Sequence, residues 1–91
     1  MTFDDFVLTQ YKKNNKKRTG YANNYFELLG KKSELEDLKN SKVVTSLPTG
    51  KERAAKRAEI SGEIGKVNLE IENAKMRIIN NFLADTVSTI Q

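Results

Sequence analysis

Residues 60–78 read ISGEIGKVNLEIENAKMRI and contain the strongest structural signal in the chain. Their apolar positions are spaced four, three, four, three and four residues apart: Ile60, Ile64, Val67, Ile71, Ala74 and Ile78. This heptad pattern is typical of a helix that packs against another helix along one seam. It predicts one long coiled-coil-type helix over about residues 51–84, which at 1.5 Å per residue is roughly 50 Å long.

A shorter helix is predicted before it, over about residues 22–42. Its seam consists of Tyr21, Tyr25, Leu28, Leu35 and Leu38. A β-branched pair, Pro48 and Gly50 then turn the chain, so the two helices form a hairpin over residues 21–84. Antiparallel pairing from this turn brings Leu38 near residues 54–58 and Tyr21 near residues 71–74.

A third, short helix is predicted at the N-terminus, over residues 3–13. Thr2 and Asp5 have the spacing of a capping box, and an aromatic-rich face of Phe3, Phe6 and Tyr11 follows. Residues 12–20 contain five positive charges and no apolar residue, so we expect a basic connector there. Residues 85–91 are expected to be a frayed end.

The composition favours a single all-α domain over residues 1–91. Hydrophobic residues make up 37% of the chain and charged residues 31%. Long helices with one narrow apolar seam each suit such a chain, because a seam needs fewer apolar residues than a round core. A second copy would supply further burial, so we expect a homo-oligomer.

The chain contains neither cysteine nor histidine. Thiolate zinc sites and the usual general bases and nucleophile–base pairs are therefore excluded. We expect no enzyme activity, no cofactor, no metal and no small-molecule substrate. The acidic start at Asp4 and Asp5 is unlike a signal peptide, and no apolar run approaches membrane-spanning length, so we expect a cytoplasmic protein without membrane contact.

The long helix is predicted to extend beyond its hairpin partner. Phe82, Leu83, Val87 and Ile90 then need another surface, which the first helix or a second subunit could supply. The two glycines inside this helix, Gly62 and Gly65, each weaken it by about 0.8–1 kcal/mol relative to Ala. Two explanations stay open, namely a close neighbour at that position or a weakness that the fold tolerates.

Two Lys/Arg clusters stand out in a chain of net charge +4. The first consists of Lys12, Lys13, Lys16, Lys17 and Arg18, and the second of Lys51, Arg53, Lys56 and Arg57. Cations of this kind contact phosphates, and Tyr11 and Tyr21 beside the first cluster can stack on bases. The alternatives are a solvated linker for the first cluster and side chains flanking the hairpin seam for the second.

The stretch from the turn at Leu47 through the heptads to Leu83 resembles the coiled-coil halves of small regulatory proteins carried by phages of Gram-positive bacteria. The resemblance implies a phage or mobile-element origin and a bacterial host cytoplasm. Those proteins continue into a helix-turn-helix, which this chain lacks, so sequence-specific reading of DNA is not implied.

The leading hypothesis is a non-enzymatic adaptor, inhibitor or assembly factor that binds a protein partner, or itself, through a coiled-coil surface. The alternatives are a non-specific nucleic-acid-binding protein that uses the two Lys/Arg clusters, and a structural subunit of a larger assembly. The residues predicted at the protein interface are Phe3, Phe6, Tyr11, Tyr21, Tyr25, Ile71, Ile78 and Phe82.

Overall fold

The structure of the protein is a computed structural model that describes the backbone of residues 1–12 and 15–90 and the side chains of residues 1–12 and 15–85. Within these ranges the chain is helical and contains no strand. The elements are α1 (Phe3–Phe6), a π-helical turn (Val7–Tyr11), α2 (Lys16–Lys39), α3 (Lys42–Thr45) and α4 (Gly50–Ile90). The predicted all-α class, with a helical hairpin, one long helix and a short N-terminal helix, is confirmed.

The chain forms two compact units. The terminal unit contains Met1–Glu27 and Glu72–Gln91, and the hairpin unit contains Leu28–Ile71. Helices α2 and α4 contribute residues to both units. The assignment of the whole chain to one domain stays a prediction. In the part of the chain described here, none of the helices has the length and apolar character that crossing a membrane requires.

Helix α1 begins as the sequence predicts. The amide of Asp5 donates to Thr2 Oγ1 at 3.1 Å, and the amide of Thr2 donates to Asp5 Oδ2 at 3.5 Å, so the capping box is formed. After Phe6 the helix widens into the π-helical turn, where the amide of Lys12 donates to the carbonyl of Val7 at 3.1 Å. The regular helix predicted over residues 3–13 is therefore shorter than expected, and Lys13 lies outside the described residues.

Helix α2 begins earlier than predicted. Asn15 Oδ1 accepts hydrogen bonds from the amides of Lys17 at 3.0 Å and Arg18 at 3.2 Å, which makes Asn15 the N-cap. The predicted connector over residues 12–20 is thus wrong from Lys16 onward, where the chain is already helical. The cause of the error is Gly20, which suggests a turn in the sequence but lies within the helix.

The connection between α2 and α4 contains the short helix α3, which the sequence analysis interpreted as part of the turn. Val44 of α3 is fully buried, so this turn adds to the core of the hairpin unit. Arg53 Nη1 donates to the carbonyl of Leu47 at 2.7 Å, and this hydrogen bond stabilises the same connection.

In the terminal unit the guanidinium of Arg77 lies over the ring of Tyr21. The sequence analysis expected Tyr21 near residues 71–74, about one helical turn earlier in α4.

Helix α4 is continuous from Gly50 to Ile90. Thr49 caps it, because Thr49 Oγ1 accepts from the amide of Glu52 at 3.1 Å. The predicted end near residue 84 is too early, and residues 85–90 are helical although a frayed end was expected. The heptad seam is confirmed, since all its members except the half-buried Ile64 are at most 5% exposed: Ile60, Val67, Ile71, Ala74 and Ile78.

Candidate interaction surface

The residues predicted at a protein interface lie largely inside the fold. Tyr11 and Ile78 are fully buried, and Tyr25 and Ile71 are 2% and 5% exposed. Phe3, Phe6, Tyr21 and Phe82 are half-buried. A partner role for these eight residues stays a prediction, but packing within the chain already accounts for the buried ones.

Ring contacts hold the terminal unit together. Phe3 meets Tyr25 edge-on at 5.3 Å between ring centroids, and Phe6 meets Phe82 edge-on at 5.1 Å. The π-helical turn contributes to this packing, since Phe6 and Tyr11 are five residues apart and would point about 140° away from each other in an α-helix. Here their ring centroids are 6.4 Å apart. The N-terminal segment thus supplies the surface that the sequence analysis required for Phe82.

Two tyrosine hydroxyl groups form hydrogen bonds within the aromatic cluster, which consists of Phe3, Phe6, Tyr11, Tyr25 and Phe82. Tyr25 Oη donates to Asp4 Oδ1 at 2.5 Å, and Tyr11 Oη lies 2.8 Å from Asn81 Oδ1. Burial raises the pKa of both phenols, and the hydrogen bond to the Asp4 carboxylate raises the pKa of Tyr25 further. Both hydroxyls are therefore protonated, structural donors at neutral pH.

Arg18 of the first Lys/Arg cluster belongs to the same packing. Its guanidinium lies over the rings of Tyr11 at 5.2 Å and Phe82 at 5.5 Å, and its Nη2 is 2.8 Å from Asp85 Oδ2. In addition, Nη1 donates to the carbonyl of Tyr11 at 3.3 Å. Planar stacking together with several in-plane donors is a geometry that arginine provides and lysine does not. Arg18 therefore has a structural role.

The rest of the first cluster lies around the start of α2. Lys16 and Lys17 are exposed in its first turn, Lys12 is half-buried, and Lys13 lies outside the described residues. No acidic residue occurs in that first turn. The helix dipole is positive at this end, so Lys16 and Lys17 add to an existing positive potential.

The second Lys/Arg cluster lies on the first turns of α4, in the hairpin unit. Arg53 is engaged by the carbonyl of Leu47, and Lys56 Nζ lies 3.6 Å from Glu59 Oε2. Lys51 and Arg57 are exposed. Arg53 therefore stabilises the connection before α4, whereas Lys56 and Glu59 form an ordinary ion pair between neighbouring turns of one helix. Both interpretations of this cluster stay predictions.

A small open groove lies between α2 and α4 in the hairpin unit. Its floor consists of Leu35 and Val67, and its rim carries two lysines and two glutamates: Lys31, Lys66, Glu63 and Glu70. The rim charges balance, so the groove has no net attraction for a charged ligand. It is a solvated part of the helix–helix interface.

A different surface of α4 is exposed and apolar. Leu69 in the hairpin unit is 69% exposed, and Met76 and Leu83 in the terminal unit are 52% and 53% exposed. Leu69 follows the buried Val67 by two residues, and Met76 follows the buried Ala74 by two residues. Each such step turns the side chain about 200° around the helix, so both point away from the seam.

Small residues continue the same heptad spacing toward the start of α4. Ala55, Ala58, Gly62 and Gly65 are all exposed, and they precede Leu69 at alternating intervals of three and four residues. Apart from the helix's own backbone, an added Cβ at Gly62 or Gly65 would meet no atom of the described residues within 4 Å. We refer to the seven residues Ala55, Ala58, Gly62, Gly65, Leu69, Met76 and Leu83 as the outer stripe.

The sequence analysis missed the outer stripe. Its signal is present, because Gly62, Leu69, Met76 and Leu83 are spaced by seven residues. The stripe was not recognised because the isoleucine-rich seam gives a stronger periodic signal, and because glycine is not counted among hydrophobic residues. No family model, curated protein or solved structure matches the chain.

Proposed function

We propose that the protein is a non-enzymatic interaction protein whose contact surface is the outer stripe of α4. An adaptor, an inhibitor, an assembly factor and a structural subunit would all use such a surface. Encoding by a phage or mobile element belongs to the same proposal and rests on the resemblance of residues 47–83 described above.

The observation that supports this proposal is the periodic exposure of large apolar side chains at Leu69, Met76 and Leu83. A single exposed leucine is ordinary on a protein surface and needs no explanation. Exposure repeated every seven residues is different, because it follows the repeat by which one helix recognises another. The aromatic cluster supports the proposal less well, since its rings are occupied by contacts within the terminal unit.

Crosslinking in cells that make the protein tests the proposal. The comparison is between the wild-type chain and a triple variant, Leu69→Gln, Met76→Gln and Leu83→Gln. We expect the triple variant to lose protein adducts, including adducts with itself, by about tenfold or more, because burial of each such side chain contributes over 1 kcal/mol. Its helix content should stay at the wild-type value, since the three side chains are exposed within the chain.

A matched control substitutes exposed apolar residues that lie outside the outer stripe. Leu8 and Val43 are 57% and 53% exposed, so Leu8→Gln with Val43→Gln changes a similar area. This double variant should keep its adducts. Equal adduct formation by the wild-type chain and the triple variant would contradict the proposal.

Non-specific nucleic-acid binding is the second candidate, and it is favoured by Lys16 and Lys17 at the positive end of α2. It predicts binding to duplex DNA that weakens steeply between about 50 and 200 mM salt. Lys16→Gln with Lys17→Gln should lower the slope of log affinity against log salt by about 1.8. Anisotropy of a labelled duplex measures this, and absence of binding near 50 mM salt would eliminate the candidate.

A further inference from the structure

We infer that the partner of the outer stripe is a second copy of the chain, with the two α4 helices antiparallel and Leu69 near the two-fold axis. The inference rests on the proposed function and names the partner. Two features of α4 support it, namely the order of its small and large residues and two glycines that no other element of the described chain approaches.

The first feature is complementary side-chain size about Leu69. Gly62 and Met76 lie seven residues to either side of Leu69, and Ala55 and Leu83 lie fourteen residues to either side. Antiparallel pairing centred on Leu69 therefore sets the small stretch of one copy against the large side chains of the other. Met76 and Leu83 of one copy then lie opposite Gly62 and Ala55 of the other, as knobs opposite holes. Parallel pairing would set glycine against glycine and leave a gap.

The second feature is the pair of glycines. Gly62 and Gly65 weaken α4 by about 1 kcal/mol each relative to alanine. Apart from the helix's own backbone, no atom of the described residues lies within 4 Å of the position that a Cβ would occupy. Close approach within the chain is therefore not the reason for these glycines. A second helix that packs directly on the backbone at this point is a reason for having glycine there.

Light scattering across a concentration series tests the inference first. The wild-type chain should have twice the chain mass, and Leu69→Glu should be monomeric, because it sets two carboxylates against each other near the axis. The control is Leu8→Glu, which alters a leucine of similar exposure outside the outer stripe and should stay dimeric. Circular dichroism establishes that each variant is folded.

Disulfide formation then tests orientation. The chain has no cysteine, so each variant carries one thiol. Leu69→Cys should crosslink to itself, and Gly62→Cys mixed with Met76→Cys should crosslink to each other. Met76→Cys alone should form no disulfide-linked dimer. A disulfide in Met76→Cys alone, without the mixed product, would indicate parallel pairing and overturn the inference.

The outcomes separate this inference from the proposed function. A wild-type chain that stays monomeric, while Leu69→Glu abolishes crosslinking to another protein in cells, overturns the second copy as partner and leaves the interaction surface in place. If Leu69→Glu changes neither mass nor adducts, both the inference and the proposed function are wrong.

Discussion

At the residue scale, the polar side chains within the aromatic cluster are the least expected feature of the terminal unit. Arg18 occurs in a run of cations and gives no sign in the sequence that it stacks on Tyr11 and Phe82. Its partner Asp85 is 67 residues away. Sequence reasoning counts charges along the chain, whereas this contact depends on tertiary packing. The burial of Tyr11 and Tyr25 follows from the same packing, although their helical spacing was recognised.

Tyr25 provides a test of this packing. Tyr25→Phe removes the hydrogen bond to Asp4 and keeps the ring, so we expect the free energy of unfolding in urea to fall by about 1–2 kcal/mol. Tyr21→Phe is the matched control and should change stability little, because Tyr21 meets Arg77 through the ring face that phenylalanine retains.

The hydrogen bond between Tyr25 and Asp4 also predicts that the free energy of unfolding depends on pH. Burial and the Asp4 carboxylate raise the pKa of Tyr25, so folding favours the neutral phenol. The contribution to stability is complete below about pH 10, where the unfolded phenol is also neutral, and is lost as pH rises through the raised pKa. The stability difference between wild type and Tyr25→Phe should therefore shrink in strong alkali. A difference that stays constant would contradict the account.

At the element scale, the heptads predicted the long helix because periodicity is a local property of the sequence. The boundaries were less accurate. The start of α2 depends on Asn15, whose capping role competes in the sequence with Gly20 and with lysines that the helix dipole disfavours. The π-helical turn and α3 were not predicted, because the burial of Tyr11 and Val44 that favours them arises only in the folded chain.

The N-cap of α2 can be tested by Asn15→Ala, which should lower the free energy of unfolding by about 0.5–2 kcal/mol. The measurement is urea denaturation followed by circular dichroism. Asn23→Ala makes the same change at an exposed interior position of α2 and should be neutral or slightly stabilising. Equal effects of the two substitutions would show that Asn15 does not cap the helix.

Substitutions at the glycines of α4 should change the stability of the chain and its self-association in opposite directions. Gly62→Ala and Gly65→Ala should each raise helix stability by up to about 1 kcal/mol, because alanine has the higher helix propensity and the added methyl group meets no other element of the described chain. Both should weaken dimer formation, since the methyl group lies in the contact. Gly20→Ala and Gly30→Ala, which also have open space around them, should stabilise the fold and leave association unchanged. Denaturation and light scattering on the same samples check both effects.

At the scale of the whole molecule, the sequence predicted the fold class and a coiled-coil surface for binding, but it assigned that surface to six aromatic residues together with Ile71 and Ile78. The aromatic residues pack within the terminal unit, and the exposed apolar residues are aliphatic. Tyr11 and Leu69 show the difficulty, because both belong to helical apolar patterns and only tertiary packing decides which one is buried. The chain thus uses one side of α4 for its own core, and we propose that it uses the other side for a second copy.

A dilution series followed by amide chemical shifts in nuclear magnetic resonance locates the association surface residue by residue. The account predicts shifts that change with protein concentration at Gly62, Gly65 and Leu69, with little change at Phe6 and Tyr11. Changes centred on the aromatic residues, or shifts independent of concentration in a chain that stays monomeric, would contradict it.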